Sequence, residues 1–362
     1  MLRRILFWLH LISGVVAGLV ILVMAVTGTL LTYERQVVAW AEQRPVSAGT
    51  RLPIEALLAQ LPGATGVVLR ADPTEAVTVS FGRETILVDP ASAARLAPPH
   101  AEVRAFFRRV TEWHRWLGAD AGHRTAARAV TGAANLAFLF LVVSGLYLWF
   151  PRRWRWSNVR AVLWFRAGLA GKSRDYNWHQ VAGFWCCVPL FFVVLSGVVM
   201  SYPWASDIVY RANGVQPPNR GKGKGRPPEG NASRGNSFVN LDLLVAEAGK
   251  QVTGWRSISF QIPVRDDEPV TFNIDAGNGG QPQKRSSVVL DRVTGTVIRS
   301  TDFADQDAGQ RARSWMRFVH TGEYYGLAGQ TMTGIASAGG VLLVWTGMAL
   351  AWRRFRAWAA RR

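Results

Sequence analysis

The stretch that decides the fold runs from Trp178 to Tyr202 and reads WHQVAGFWCCVPLFFVVLSGVVMSY. It is apolar and long enough to cross a bilayer as a helix. A second stretch, from His10 to Tyr33, repeats its pattern and reads HLISGVVAGLVILVMAVTGTLLTY. Four pairs of residues correspond without a gap: His10 with His179, Gly14 with Gly183, Gly28 with Gly197 and Tyr33 with Tyr202. The repetition predicts an internally duplicated chain.

Each of these histidines shares a helix face with the two glycines that follow it in the pattern, because their spacing fits the helical repeat. Such a face has an imidazole near one end and bare backbone against which a flat ring can lie. A single histidine there is more often an interfacial side chain or a polar contact between helices. Repetition favours a ligand, since ionisable groups are costly inside a membrane. We therefore predict haem held by His10 and His179, with Gly14, Gly183, Gly28 and Gly197 lining it.

Composition and charge place the chain in a lipid bilayer. Of its 362 residues, 49% are hydrophobic, and the formal net charge is +18. Apolar stretches occupy residues 5–33, 133–150, 180–201 and 335–352. Lysine and arginine concentrate before the first stretch, between the second and third, and after the fourth, so the positive-inside rule predicts four spans with both termini cytoplasmic. This pattern of charge does not indicate a nucleic-acid partner.

The two segments predicted to lie outside the cytoplasm have the same order of elements. PIEALLAQL and LDLLVAEAG read as short helices, and alternating strands with turn residues follow each of them. The fold class is therefore a membrane α-helical protein, a four-span bundle with two small extracytoplasmic α+β lobes. The predicted parts are a span at 1–34, a lobe with its approach helix at 35–120, a span at 121–151, a basic loop at 152–176, a span at 177–203, a lobe at 204–328 with a disordered loop at 216–236, a span at 329–353 and a tail at 354–362.

A second pair of histidines precedes the second and fourth spans. His114 and His320 each stand in an aromatic, basic segment shortly before a glycine. We predict that they hold a second haem b near the outer face, so that electrons cross the membrane between two haems. His123 has no counterpart in the second copy, and whether it replaces His114 stays open.

Motifs for other chemistry are missing from the sequence. It contains no HExxH, GxSxG or Walker motif and no strand-GxGxxG-helix unit. The electron donor is therefore a separate molecule, either membrane quinol or another reductase.

Several segments together resemble the PepSY-associated transmembrane family. They are WHQVAG with SG further on, VHTGEYYG, SGLYLWFPRR and VVLDRVTGTVI. The family includes bacterial inner-membrane ferric-siderophore reductases with haem. The resemblance implies PepSY-like lobes, a place in the bacterial inner membrane, and electron delivery to ferric siderophore in the periplasm with release of Fe(II). It implies His10, His179, His114 and His320 as the ligands of haem iron.

Two other functions are compatible with parts of the sequence. The lobes of a PepSY-type binding or regulatory module would hold a partner while the spans anchor them, and the histidines would then tolerate substitution. A transporter of intact iron chelate is disfavoured, because the spans have no polar groups suited to transport at mid-membrane.

Overall fold

The computed structural model describes residues 1–361 apart from 43–45, 47–48, 83, 98–99, 151–154, 220–240 and 264–267. The helices are α1 (Leu2–Leu31), α2 (Glu34–Glu42), α3 (Ile54–Ala59), α4 (Ala101–Trp116), α5 (Arg124–Trp149), α6 (Trp156–Leu163), α7 (Gly171–Ser201), α8 (Pro203–Ala212), α9 (Leu241–Lys250), α10 (Ala308–His320) and α11 (Gly326–Ala359). The strands are β1 (Gly66–Arg70), β2 (Val77–Phe81), β3 (Glu84–Val88), β4 (Arg95–Leu96), β5 (Ser257–Gln261), β6 (Val270–Asp275), β7 (Arg285–Leu290) and β8 (Val297–Asp302).

Four helices are long and apolar enough to cross a membrane, namely α1, α5, α7 and α11 with the turn before it. The four predicted spans are therefore confirmed as helices of the required length. Helix α1 packs against α5 and α11, and α7 packs against the same two helices, so the four form a closed ring. Small and apolar side chains fill part of the contact between helices, among them Cys186, Leu190 and Ala336.

The third span begins earlier than its apolar run, because polar residues at its start are buried with partners. Asp175 is only 1% exposed. One of its carboxylate oxygens accepts hydrogen bonds from Arg174 at 2.8 and 3.0 Å, and the other accepts from Arg353 of α11 at 3.1 and 3.2 Å. Asn177 donates to the carbonyl oxygens of Ala161 and Trp164. These contacts hold the start of α7 in the bundle.

Replacing Arg353 with methionine is expected to destabilise the bundle by about 2 kcal/mol, because a buried carboxylate oxygen loses its charged donor. Thermal unfolding of the purified protein measures this loss. Arg356→Met is the matched control, since Arg356 is exposed on the same helix and is not ion-paired with any residue that the structure describes. Equal unfolding temperatures for the two variants would show that the ion pair contributes nothing.

The described strands, together with helices α3 and α9 and most of α2, lie in a second unit, residues Gln36–Val103 and Tyr210–Ala312. Its eight strands form one antiparallel sheet in the order β4-β3-β2-β1-β5-β6-β7-β8. The two predicted lobes are thus the two halves of a single sheet, joined where Val67 of β1 faces Phe260 of β5. Fully buried side chains, including Val79, Phe272 and Leu290, form its core.

Helices α3 and α9 cap each other across the two halves of this unit. The backbone N–H of Ile54 donates to the Asp242 carboxylate at 2.9 and 3.1 Å, and the N–H of Leu241 donates to Glu55 at 2.7 Å. Each helix N-terminus is thereby satisfied by an acidic side chain of the other half.

Two turns at corresponding places in the halves have the same hydrogen bonds. Asp89 accepts from the backbone of Ala91 and Ser92, and Asp291 accepts from that of Val293 and Thr294. These are local matches, and the internal duplication stays a prediction. The predicted disordered loop at 216–236 lies, from residue 220 on, outside the described residues.

Candidate functional site

Two histidines from different helices meet beside the bundle. His114 is in the last turn of α4, and His320 is the last residue of α10. Their ring centroids are 6.3 Å apart, with ring planes inclined at 62°. Sequence correspondence predicted this pair, and the structure brings it together.

The spacing of these rings fits one metal ion held from two sides. Imidazole nitrogens bind transition metals at about 2 Å, so two imidazoles on opposite sides of one ion have centroids roughly 6 Å apart. The observed separation of 6.3 Å agrees with that arrangement. The rings are inclined to each other at 62° and do not stack.

All four predicted histidines use the same ring nitrogen, Nδ1, to contact a hydroxyl on a spanning helix. The Nδ1–Oγ distances are 2.8 Å for His10 with Ser144, 2.9 Å for His114 with Thr27, 2.9 Å for His179 with Thr346 and 3.2 Å for His320 with Ser196. Among the described residues, no protein atom hydrogen-bonds to Nε2 of any of these rings.

The hydroxyls also determine where the imidazole protons are. Each hydroxyl donates its own proton to a carbonyl oxygen of the preceding turn of its helix, at 2.6 Å for Ser144 and Thr27, 2.7 Å for Thr346 and 2.8 Å for Ser196. Each therefore accepts from the imidazole. His320 Nδ1 also lies 2.8 Å from the Val193 carbonyl oxygen, which can only accept. Nδ1 thus carries the proton, and Nε2 keeps a free electron pair, which is the form that binds metals.

Burial keeps the pair between α4 and α10 neutral. Burial, reinforced by the neighbouring His320, lowers the pKa of His114 to about 4. Burial also lowers the pKa of His320. Both imidazoles are therefore uncharged near neutral pH and are able to act as ligands.

The second pair, His10 of α1 and His179 of α7, lies within the spanning helices. The two imidazoles are close enough to interact electrostatically. A side chain added at Gly145 would meet His10 Cε1 at 3.3 Å, and one added at Gly347 would meet His179 Cε1 at the same distance. Each ring thus packs against the backbone of the neighbouring helix, directly after the hydroxyl residue that it contacts.

The glycines predicted to line the cofactor have different neighbours. At Gly28, an added side chain would meet His114 Cε1 at 3.4 Å. At Gly14 and Gly183 it would meet Leu141 and Leu343, and at Gly197 it would meet the Asn135 amide. The structure therefore places Gly28 against His114, a predicted ligand of the other pair, and the cofactor role of all four glycines stays a prediction.

The remaining histidines of the approach segments are elsewhere. His123 is exposed and pairs with Asp120 at 2.9 Å, and His100 is exposed and pairs with Glu102 at 3.0 Å. It is His114, and not His123, that lies beside His320. The described residues contain no group of three or more His, Cys, Asp or Glu suited to a metal ion, so two-imidazole sites are what the histidines offer.

A buried donor lies one helical turn beyond Gly145 on α5. The indole of Trp149 stacks on Phe184 with ring centroids 4.4 Å apart. Within the described part of the chain, its buried N–H has no hydrogen-bond partner. This donor is available to a polar group bound at the same end of the bundle as His10.

A tight turn fixes His320 relative to the last span. Gly322 has φ 74°, a left-handed conformation that glycine adopts without strain. Its backbone lies directly against that of Gly329 in α11, where no side chain fits on either residue. Glu323, which is 6% exposed, is ion-paired with Arg35. The turn therefore couples the position of the His320 ring to α11.

A family model described as PepSY-associated TM region matches residues 7–354, nearly the whole chain. The chain belongs to this family. No curated protein matches it. The PepSY-associated TM match includes all four histidines of the two pairs and, with the four apolar helices, identifies a multi-pass membrane protein.

Sequence reasoning missed the four hydroxyl residues of this PepSY-associated TM protein. Thr27, Ser144, Ser196 and Thr346 each stand directly before a glycine in a different spanning helix. A hydroxyl residue followed by glycine occurs in every spanning helix, but three of them contain a second such pair, at Ser13-Gly14, Thr131-Gly132 and Thr333-Gly334, so this signal alone would not have indicated them. Asp175 and Glu323 were missed as well, because single acidic residues carry no pattern.

Proposed function

We propose that this chain is an oxidoreductase of the bacterial inner membrane that passes electrons through two haem b groups to a ferric siderophore in the periplasm. His10 and His179 would hold one haem, and His114 and His320 the other. Iron is taken as substrate in the ferric state and leaves the chelate as Fe(II), which siderophores bind less tightly.

The observation that carries the proposal is the hydrogen bonding and spacing of the paired imidazoles. Four rings on different elements all turn Nδ1 to a hydroxyl, and no described residue hydrogen-bonds to their Nε2 atoms. The ring centroids of His114 and His320 have the 6.3 Å separation expected around one iron. Histidines that served only to join helices would have no need of the same free nitrogen in every case.

When bound, haem supplies one-electron oxidation and reduction without a protein group changing its bonds. The chain itself would supply the imidazoles that hold the iron, the hydroxyls that orient those imidazoles, and an apolar bundle that excludes water from the site. The electrons come from membrane quinol, which releases two protons as it becomes quinone, or from a separate reductase. Each electron reduces one Fe(III) to Fe(II).

Positive charge gathers close to the His114 site, where an anionic chelate would bind. Arg115 of α4 is near Arg128, Arg317 and Arg124, and burial followed by these like charges lowers the pKa of Arg115. A group of arginines on α4, α5 and α10 attracts anions and raises their local concentration. By the positive-inside rule this end of the bundle faces the periplasm, and both termini are cytoplasmic.

The direct test is an absorbance spectrum of the purified protein with haem quantified per chain, followed by anaerobic mixing of the reduced protein with a ferric siderophore. We expect a Soret band and reoxidation of the protein as Fe(II) appears, which a ferrous chelator traps. A haem-free protein from haem-supplemented cells would end the proposal.

One observation favours the alternative, a PepSY-type binding or regulatory module without redox activity. The edge strand β8 and the turn before it expose Val293, Val297 and Ile298, and an exposed apolar strand edge suits pairing with an extended peptide. Under this alternative the His179→Ala variant keeps its binding or regulatory activity. Under the proposal it loses haem and reductase activity together.

A further inference from the structure

We infer that a groove between α7 and α11 binds the head group of a membrane quinol, and that the backbone carbonyl of Trp185 accepts a hydrogen bond from it. The quinol's role as electron donor rests on the proposed function, to which this inference adds the place where the donor binds. It follows from a proline inside a spanning helix and from the shape of the surface beside that proline.

The α7–α11 groove opens toward lipid. It has a volume of about 510 Å³, and the residues that line it include Trp185, Cys186 and Pro189 of α7 and Thr331, Met332 and Ile335 of α11. Trp185, Met332 and Ile335 are 60%, 52% and 64% exposed, although they belong to spanning helices. Sites for small molecules have volumes of roughly 300–1,000 Å³ and mostly apolar walls. The groove is therefore large enough for a ring-sized head group.

Pro189 leaves one backbone acceptor in the wall of this groove without its usual partner. Helix α7 continues through Pro189. Proline has no N–H, so the Trp185 carbonyl, one turn earlier, cannot receive the helical hydrogen bond from residue 189. Among the described residues, no side chain and no other helix donates to this carbonyl instead. Because lipid offers no donor either, a ligand that donates to this carbonyl would be stabilised there.

The indole and the hydroxyl that line the groove already have partners. Trp185 donates its indole N–H to the Leu163 carbonyl oxygen at 2.8 Å. Thr331 donates its hydroxyl to the Leu327 carbonyl oxygen at 2.9 Å and lies 2.7 Å from the Tyr33 hydroxyl. The Trp185 carbonyl is thus the polar group that the groove offers to a ligand.

The ligand that suits this groove has an apolar body and a hydroxyl that donates. Phospholipid tails have no donor, whereas a quinol has two phenolic O–H groups on a ring with an apolar tail. Quinone, its oxidised form, has acceptors only, and a backbone carbonyl also only accepts. The groove should therefore bind quinol more tightly than quinone, as suits a site that takes up the reduced molecule and releases the oxidised one.

The α7 wall of the groove lies between the two histidine pairs. Along α7, Cys186 is about 10 Å beyond His179, and Pro189 is about 6 Å before Val193, at a rise of about 1.5 Å per residue. The Val193 carbonyl oxygen accepts a hydrogen bond from His320. A quinol in the groove would thus be about two helical turns or less, along α7, from a residue of each proposed haem site.

Pro189→Ala tests this inference, because it gives the Trp185 carbonyl its helical N–H. A short-chain quinol with a diazirine on its tail is photolysed with the reduced full-length protein under anaerobic conditions, with unlabelled quinol or quinone as competitor, and mass spectrometry identifies the labelled peptides. In the wild type we expect labels on α7 and α11 and stronger competition by quinol than by quinone. In Pro189→Ala, quinol should bind about 3- to 10-fold more weakly, the contribution of one neutral hydrogen bond, and should lose its advantage over quinone. The variant should be at least as stable as the wild type, since alanine favours the helix.

Filling the groove provides a second variant with a matched control. Ala328 lines the groove, and Ala328→Phe should remove the labels. Ala338 lines a smaller groove of about 270 Å³ between α1 and α11, which has no proline in its wall. Ala338→Phe should therefore leave the labelling unchanged.

The outcomes separate this inference from the proposed function. Labels on other helices, equal competition by quinol and quinone in the wild type, or wild-type quinol affinity in Pro189→Ala would each overturn the inference. A haem-containing protein that quinol reduces while the groove stays unlabelled overturns the inference and leaves the proposed function intact. A haem-free protein with a labelled groove overturns the proposed function and supports the quinol site.

Discussion

Exchanging His320 for alanine is expected to halve the haem content of the purified protein and to abolish reduction of ferric siderophore. The exchange removes one of two imidazoles at the site whose ring centroids are 6.3 Å apart. The other proposed site uses α1 and α7 and keeps both of its histidines. One haem should therefore remain, while the iron-reducing end of the pathway is lost. Haem quantification per chain and anaerobic reduction assays measure the two effects.

His123→Ala is the control for this prediction. His123 belongs to the approach segment of the first copy, but it is exposed and bonded to Asp120. Its removal should leave both haems and the activity unchanged. Full haem content in His320→Ala, or loss of a haem from His123→Ala, would contradict the assignment of ligands at this end of the bundle.

Gly329→Ala is expected to cost about 1–3 kcal/mol of stability and to displace the haem at the His114 site. The new methyl group would meet the backbone oxygen of Gly322 and also lie 2.8 Å from Tyr325 Cβ, both of them inside van der Waals contact. Neither backbone yields easily, because Gly322 forms the left-handed turn and Gly329 lies in α11. The turn must shift, and His320 shifts with it. Thermal unfolding and haem content measure the two consequences.

A glycine in the same unit that has space for a methyl group provides the control. At Gly122, an added side chain would have ordinary contact with Asp120 at 3.5 Å, so Gly122→Ala should be close to neutral. If Gly329→Ala unfolded at the wild-type temperature with both haems retained, the close approach of the two backbones would not be required.

The spans were predictable because membrane crossing depends on length and apolarity alone. The ends of the spans were not predictable, and α7 shows the reason. It begins at Gly171, ahead of its apolar run, since Asp175 and Asn177 obtain partners from α11 and from the segment before α7. A polar residue in the sequence indicates the end of a span unless its partner is known. The partner of Asp175 on α11 is Arg353, which is distant in sequence.

The single sheet was beyond sequence reasoning for a similar reason. Strand β1 is only five residues long, GVVLR, and it was not predicted. It is the strand that joins the halves by pairing with β5, which is far away in the chain. Periodicity indicates strands, but it does not indicate which strands become neighbours.

The histidines of the candidate site were predicted from the sequence, and the hydroxyl residues that contact them were not. The histidines stood out because they are rare and repeat at matching places. Serine and threonine are common in spanning helices and usually bond only the preceding turn of their own helix, as Thr29 does with Ala25. Only coordinates distinguish Thr27, whose hydroxyl serves a histidine as well.

The exchanged helix caps of α3 and α9 have a consequence for the history of the chain. Each half of the sheet depends on a carboxylate from the other half to cap its helix. A half on its own would expose β1 or β5 as an unpaired edge strand, which could pair with a strand of another molecule. If the chain arose by duplication of a shorter gene, the ancestral protein must have formed a homodimer in the membrane. Fusion of the two gene copies would then have joined the two halves of a dimer in one chain.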